Sequence, residues 1–137
     1  MKKGLILLVL ASIAIACVKP QKPKDYREKW VGDWDFVVER TWNRGWDRGH
    51  DTVYYSGTIS LGSTDSTLNV KYLSVITSTD IPVDKFGKID NKAYYCNPCI
   101  NGQFEGNDKV HIRYGYNTGA TSSTSIIDGI KKKGDKT

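Results

Sequence analysis

The chain has 137 residues, of which 39% are hydrophobic and 26% are charged, and its 13 Gly and 4 Pro are close to average usage. These values exclude a disordered or collagen-like chain, and the size favours one domain. The formal net charge of +5 comes from the two ends, because basic and acidic residues nearly balance between Trp34 and Ile127. A nucleic-acid-binding domain needs a basic face on the fold itself, so we expect no nucleic-acid partner.

The first sixteen residues have the pattern of an export signal. Met1-Lys2-Lys3 is a basic start, and residues 4–16 form an uninterrupted run of apolar and small side chains. The run is too short to cross a hydrocarbon core, which needs about 20 residues. We therefore predict that residues 1–16 are a signal peptide.

The signal ends at a cysteine. The sequence Ala14-Ile15-Ala16-Cys17 resembles the lipobox of bacterial lipoproteins, where the cysteine receives a diacylglyceryl group and becomes the first residue after cleavage. The resemblance implies a cell-envelope protein anchored to the outer membrane through acylated Cys17, facing the periplasm or the surface. Residues 17–24 would then be the lipidated cysteine and a Lys/Pro-rich linker. The alternative is an ordinary signal peptide with an incidental cysteine.

From Trp34 onward, apolar residues recur at every second position, which is the period of β-strands. The clearest runs are 34–39, 53–61, 68–72, 100–105 and 110–116, followed by a last run through Ile126, Ile127 and Ile130. Turn residues separate several of the runs, as at 62–66 and 106–108. Pro82 lacks an amide hydrogen and therefore predicts an edge strand or a bulge.

These runs predict an all-β domain over residues 25–133, followed by a tail at 134–137. Short turns between sequential strands favour an antiparallel meander of about eight strands. A meander of this length hides its edges by closing into a barrel or by folding into a sandwich. We expect the small barrel and keep the β-sandwich as the alternative.

The segment Trp30-Val31-Gly32-Asp33-Trp34 is similar to the opening Gly-x-Trp signature of lipocalins. The resemblance implies a lipocalin-like barrel, in which a short helical turn precedes the first strand and the tryptophan packs across the closed end. Gly32 and Trp34 would hold those two positions. The chain departs from the family in its shorter body and in having no helix after the last strand.

Two cysteines remain in the body, in the sequence Cys96-Asn97-Pro98-Cys99. A redox motif would open a helix, but a strand-like segment follows Cys99. A zinc site would need two more ligands, and His50 and His111 are far apart in the chain. An exported protein meets an oxidising compartment, so we predict a structural disulfide between Cys96 and Cys99 and no metal or other cofactor.

The sequence Trp-[Asn/Asp]-Arg-Gly occurs twice in tandem, at Trp42 and at Trp46. It lies between the first two predicted strands, which places it in a loop or at the tip of a long hairpin. Tryptophan and arginine dominate binding hot spots. The predicted ligand-binding residues are Trp42, Arg44, Trp46, Arg48 and His50. Alternatively, both tryptophans fold down over the core and both arginines are solvated.

No catalytic motif is present, and the neighbours His50 and Asp51 do not by themselves place a base beside its orienting group. We therefore expect a binding module without enzymatic activity, for a small apolar or sugar-like ligand. Inward-facing aromatic residues motivate the apolar ligand, namely Phe36, Tyr55, Tyr72, Phe104, Tyr114 and Tyr116. The alternative is an accessory lipoprotein that docks on another envelope protein through the tryptophan-rich stretch or through an edge strand near Pro82.

Overall fold

A computed structural model of the chain describes residues 24–72, 79–91 and 98–134. The predicted signal peptide, Cys17, most of the linker and Cys96 lie outside the described residues, and so does the tail after Gly134. No helix within the described ranges is long and apolar enough to cross a membrane.

The described chain is built from antiparallel strands, with one 3₁₀ turn at Glu28–Trp30. The strands are β1 (Gly32–Arg44), β2 (Asp47–Leu61), β3 (Thr67–Tyr72), β4 (Thr79–Pro82), β5 (Lys88–Asp90), β6 (Cys99–Glu105), β7 (Lys109–Asn117) and β8 (Thr121–Lys131). Every pair of neighbouring strands is antiparallel. The predicted all-β meander is confirmed.

The first and last strands of the chain lie next to each other in the middle of the sheet, and the two edge strands of the sheet meet to close the barrel. Its order is β4-β3-β2-β1-β8-β7-β6-β5, and β1 pairs with β8 from Trp34↔Lys131 to Arg44↔Thr121. The two ends of the sheet, β4 and β5, meet at the isolated bridge Val83↔Ile89. The fold is therefore a nearly closed barrel, as predicted, and the sandwich alternative is wrong.

Pro82 explains why β4 and β5 meet without a regular ladder of hydrogen bonds. Val83 donates its amide hydrogen to the carbonyl of Ser66, on the β3 side of the strand. Backbone groups alternate in direction along a strand, so the nitrogen of Pro82 faces β5, where it has no hydrogen to donate. The edge strand predicted from Pro82 is observed, because β4 is the last strand of the sheet order.

The core occupies the end of the barrel where β1 begins. Trp34 is fully buried, and its Nε1 donates to the carbonyl of Trp30 at 3.0 Å. Trp30 Nε1 in turn donates to the carbonyl of Gly106 at 2.9 Å, and its ring stacks on Phe104 with centroids 4.5 Å apart. A 3₁₀ turn thus precedes β1, and Trp30 and Trp34 are packed together in the core at this end.

Arg27 covers the same end from outside the sheet. It is only 4% exposed, and its guanidinium contacts Asp25 at 2.6 Å and donates to the carbonyls of Thr64 and Thr67. The hydrogen bonds from Arg27 lower the pKa of Asp25 below its ordinary value. A buried charge is tolerated when it is paired and hydrogen-bonded, so Arg27 ties the segment before β1 to the β2–β3 turn.

Candidate functional site

The tryptophan-rich stretch forms the end of a long hairpin. β1 and β2 stay paired up to Arg44↔Asp47, and only Gly45 and Trp46 form the turn. Gly45 has a φ of 64°, which a glycine adopts without strain. Of the two placements predicted for residues 41–51, the hairpin tip is confirmed and the loop is wrong. The sequence pattern did not show that β1 and β2 extend this far. Most of their residues near the turn are polar on both faces of the hairpin, so the alternation of apolar and polar residues is lost there.

The hairpin divides the predicted ligand-binding residues between its two faces. Trp42 and Arg44 continue the inward row of buried residues in β1. Arg48 and His50 lie on the opposite, outward face of β2, and Trp46 stands at the turn with its side chain 103% exposed. The five residues therefore do not form one cluster, and only Trp42 and Arg44 face the mouth of the barrel.

A cleft of about 370 Å³ lies at this mouth, and we refer to it as the mouth cleft. It is lined by Arg40, Thr41, Trp42, Arg44, Asp47, Ser123 and Ser125. The strand register explains the space, because Ser125 lies opposite Arg40 and Ser123 opposite Trp42. Ser123 and Ser125 continue the inward row of Ile127 and Gly129 in β8, and they are half-buried.

Sequence reasoning missed Arg40, Asp47 and the two serines. The available signal was strand parity, since Arg40 follows the buried row of Trp34, Phe36 and Val38 by two positions. That signal is easily overlooked because the row changes from apolar to charged at the point where the core ends.

Arg40 and Asp51 form an ion pair across β1 and β2. Arg40 Nε lies 2.7 Å from one carboxylate oxygen of Asp51, and a second guanidinium nitrogen contacts the other oxygen. Hydrogen bonding from Arg40 lowers the pKa of Asp51, and the same bonds raise the pKa of Arg40. Asp51 is thus engaged by Arg40 on the inward face of the hairpin, whereas the side chain of His50 lies on the outward face. The two side chains therefore point away from each other.

Trp42 lies across the hairpin above its cross-strand partner Gly49. A Cβ atom at Gly49 would overlap Cζ2 of the indole, so only glycine leaves room for this placement. Among the described residues, no hydrogen bond or ion pair engages the side chains of Arg44, Asp47, Ser123 or Ser125. The mouth cleft therefore combines an aromatic ring with polar groups that still have hydrogen-bonding capacity.

Below the mouth cleft, the barrel is packed with its own side chains. Phe36 and Phe104 are buried in the core, and Tyr55 and Tyr114 pack against it. Tyr116 is 40% exposed near the rim, and the side chain of Tyr72 lies outside the described part. The aromatic residues expected to surround an apolar ligand thus serve mainly to fill the lower barrel.

A second histidine, His111, pairs with Asp128 on the outer face. Its Nδ1 lies 2.7 Å from a carboxylate oxygen of Asp128, and both side chains are about half exposed. The pair follows from the β7–β8 register and was not predicted. Within the described ranges, no group of three His, Cys, Asp or Glu residues could hold a metal ion.

Cys99 begins β6 and is disulfide-bonded. Both other cysteines of the chain, Cys17 and Cys96, lie outside the described residues. The pairing of Cys99 with Cys96 therefore stays a prediction.

No protein-family model, curated protein or solved structure matches the chain. The class of the protein, an eight-stranded antiparallel barrel, accordingly comes from its own strand pairing. The lipocalin and lipoprotein resemblances stay predictions.

Proposed function

We propose that the protein is a lipid-anchored binding module of the cell envelope that holds a small sugar-like ligand in the mouth cleft without transforming it. The observation that carries the proposal is the position of Trp42 among polar groups that have no partner within the described chain. The volume of about 370 Å³ falls within the range of small-molecule sites.

The chemistry of the cleft favours a sugar ring. The apolar face of a pyranose stacks on an indole, while its hydroxyl groups both donate and accept hydrogen bonds. Arg44 offers donors and Asp47 offers acceptors, and the two face the cleft from opposite sides of the hairpin turn. The hydroxyls of Ser123 and Ser125 add groups that can do either.

An apolar ligand inside the barrel fits less well. The lower barrel holds the buried core, with Trp34, Phe36 and Ile59 each at most 1% exposed. The mouth cleft, by contrast, has two arginines and an aspartate on its walls. Burying an apolar molecule against these groups would remove water from charges without replacing their hydrogen bonds.

The lipid anchor and the mouth cleft would lie at opposite ends of the barrel. Lys24 and Asp25 precede the 3₁₀ turn at the closed end, while β1 ends and β2 begins at the mouth. A linker that runs from Cys17 to this closed end leaves the mouth pointing away from the membrane surface. A ligand or partner would then approach from the side opposite the anchor.

The anchor and the disulfide are both tested by the intact mass of the chain extracted from host membranes. We expect a chain that begins at Cys17, carries a diacylglyceryl group and is lighter than its reduced form by two hydrogen atoms. The Cys17→Ser variant should lose the lipid mass and leave the membrane fraction. An unlipidated wild-type chain would contradict the anchor, and an unchanged mass after reduction would contradict the Cys96–Cys99 pairing.

Saccharide binding is tested by titrating the full chain in detergent with a panel of monosaccharides that includes neutral sugars and uronic acids. We expect the Trp42→Ala variant to weaken binding by about 30-fold, the loss typical of a hot-spot residue. The reason is that truncation removes the one aromatic ring among the described residues that line the cleft. Calorimetry of the wild type and the variant under the same conditions measures the change.

Trp46→Ala is the matched control, because it deletes the same side chain from the exposed turn of the same hairpin. We expect this variant to bind sugars as the wild type does. If no monosaccharide and no longer saccharide binds the wild type, the proposal is wrong.

A second candidate function is docking on another envelope protein through the hairpin tip. Its support is Trp46, a fully exposed tryptophan at the end of a hairpin that reaches beyond the core. Tryptophan is highly buried on average and is enriched among the residues that dominate protein–protein binding. Loss of a co-purified envelope protein in Trp46→Ala, with saccharide binding absent throughout, would favour this function.

A further inference from the structure

Two further cavities adjoin the mouth cleft on the outer face of the barrel, and we call them together the outer groove. The first, of about 140 Å³, shares Thr41, Trp42 and Ser123 with the mouth cleft. The second, of about 330 Å³, shares the run Ser122–Thr124 with the first and continues across β7 to β6. The three cavities therefore follow one another around the wall that β1 and β8 form.

Gly115 lies in the lining of the outer groove. A Cβ atom at Gly115 would meet no atom within 4 Å, so the position is open above the sheet. The register places Gly115 between Cys99 of β6 and Thr124 of β8. Side chains on the neighbouring strand positions form the sides of the hollow, which include Asn101, Arg113 and Asn117.

The wall between the mouth cleft and the outer groove consists of the paired ends of β1 and β8, and it extends only a short way above the two cavities. Trp42 and Ser123 are paired in this wall, and the strands end two residues farther on, at Arg44↔Thr121. Two residues of strand amount to about 7 Å. A chain molecule with one unit in the mouth cleft would leave over this rim, and its next units would meet the outer groove.

Both ends of this path carry an arginine without a partner. Arg44 lines the mouth cleft and Arg113 lines the outer groove, and neither has an ion pair or hydrogen bond within the described chain. Between them, the outer groove is lined mainly by hydroxyl and amide side chains. Unpaired guanidinium groups match carboxylates in geometry and charge.

We infer that the mouth cleft is the first subsite of a longer groove, and that the ligand is an oligosaccharide carrying carboxylate groups whose chain crosses the Arg44–Thr121 rim into the outer groove. The inference rests on the proposed function and names the ligand class for the same site. Trp42 holds the first ring, the hydroxyl and amide residues bind the units that follow, and Arg113 binds a carboxylate beyond the rim.

The test is a calorimetric series on the full chain in detergent with galacturonic acid and with its dimer, trimer and tetramer. Cello-oligosaccharides of the same lengths provide the neutral comparison. We expect the affinity to rise about tenfold from monomer to trimer, as added units occupy the outer groove. The acidic trimer should bind more tightly than the neutral trimer.

The Arg113→Gln variant separates the two parts of the site. It should weaken binding of the acidic trimer by about tenfold, the size of a lost charge-assisted hydrogen bond, and leave the monomer unchanged within about twofold. Lys109→Gln is the matched control, because Lys109 lies on the same outward face of β7 and outside the groove. It removes the same charge and should change neither affinity.

Each other outcome has a definite meaning. Equal affinity for monomer and trimer, or equal effects of Arg113→Gln and Lys109→Gln, would overturn the inference. Either result leaves the proposed function in place if Trp42→Ala still weakens monomer binding by about 30-fold. Equal affinity for neutral and acidic trimers would overturn the carboxylate part of the inference. Absence of binding to every saccharide would overturn the inference and the proposed function together.

Discussion

Trp34→Ala is expected to lower the free energy of unfolding by about 3–5 kcal/mol, the usual cost of removing a buried tryptophan. Trp34 is fully buried, and its ring is stacked with Phe36 and packs edge-on against Phe104. Its Nε1 donates a hydrogen bond to the carbonyl of Trp30. The truncation leaves a cavity at the closed end and removes the hydrogen-bond donor of the buried Trp30 carbonyl. Urea unfolding of the full chain, followed by tryptophan fluorescence, measures the loss.

Trp46→Ala is the control for the same truncation at the surface. Its side chain is 103% exposed, so its removal should change the free energy of unfolding by less than about 0.5 kcal/mol. Equal losses in the two variants would mean that Trp34 does not lie in a packed core. A Trp34→Phe variant with an intermediate loss would separate ring packing from the Nε1 hydrogen bond.

The lower half of the barrel could be predicted from the sequence because hydrophobicity there reports burial directly. In β1 the buried residues Trp34, Phe36 and Val38 alternate with exposed Asp35 and Glu39. One face of each strand must be apolar to form the core, so the period of two marks both the strand and its orientation. Pro82 was a second clear signal, because a residue without an amide hydrogen is confined to edge strands, strand starts and bulges.

The candidate site could be predicted only in part, because the upper barrel has no such pattern. Above Val38 the inward positions hold Arg40, Trp42 and Arg44, which look like the residues of a loop. Their neighbours in space, Ser123 and Ser125, are about 80 positions away in the chain and become visible only through the β1–β8 register. The tandem Trp-x-Arg-Gly motif drew attention to the right hairpin but did not separate its inner face from its outer face.

This division of the barrel links stability to function. The apolar layer near Trp34 closes the lower end, and the polar layer near Trp42 is carried on the same strands without contributing to the core. Substitutions in the mouth cleft should therefore change ligand binding with little effect on unfolding, whereas substitutions in the lower layer should do the reverse. Glycines in the strands offer a sharp test of where the lower layer is closely packed.

Gly57→Ala is expected to lower the free energy of unfolding by about 3 kcal/mol, at the upper end of the usual cost of overpacking. Gly57 is buried in β2 between Trp34 of β1 and Tyr72 of β3. A Cβ atom there would overlap the carbonyl oxygen of Lys71 and would lie 3.2 Å from the ring of Phe36. This carbonyl oxygen belongs to the backbone of β3, which is paired with β2. The overlap can therefore be relieved only by a shift of β3, and rotation of a side chain cannot relieve it.

Gly115→Ala provides the matched comparison, because it makes the same change in a strand of the same sheet where an added Cβ meets nothing within 4 Å. Alanine there restricts only the unfolded chain, so we expect no loss and a gain of up to about 1 kcal/mol. Thermal and urea unfolding of the two variants under the same conditions give the difference. If Gly57→Ala were as stable as Gly115→Ala, β2 and β3 would not approach each other as closely as their pairing requires. The side chains around Phe36 would then be less closely packed than the structure shows.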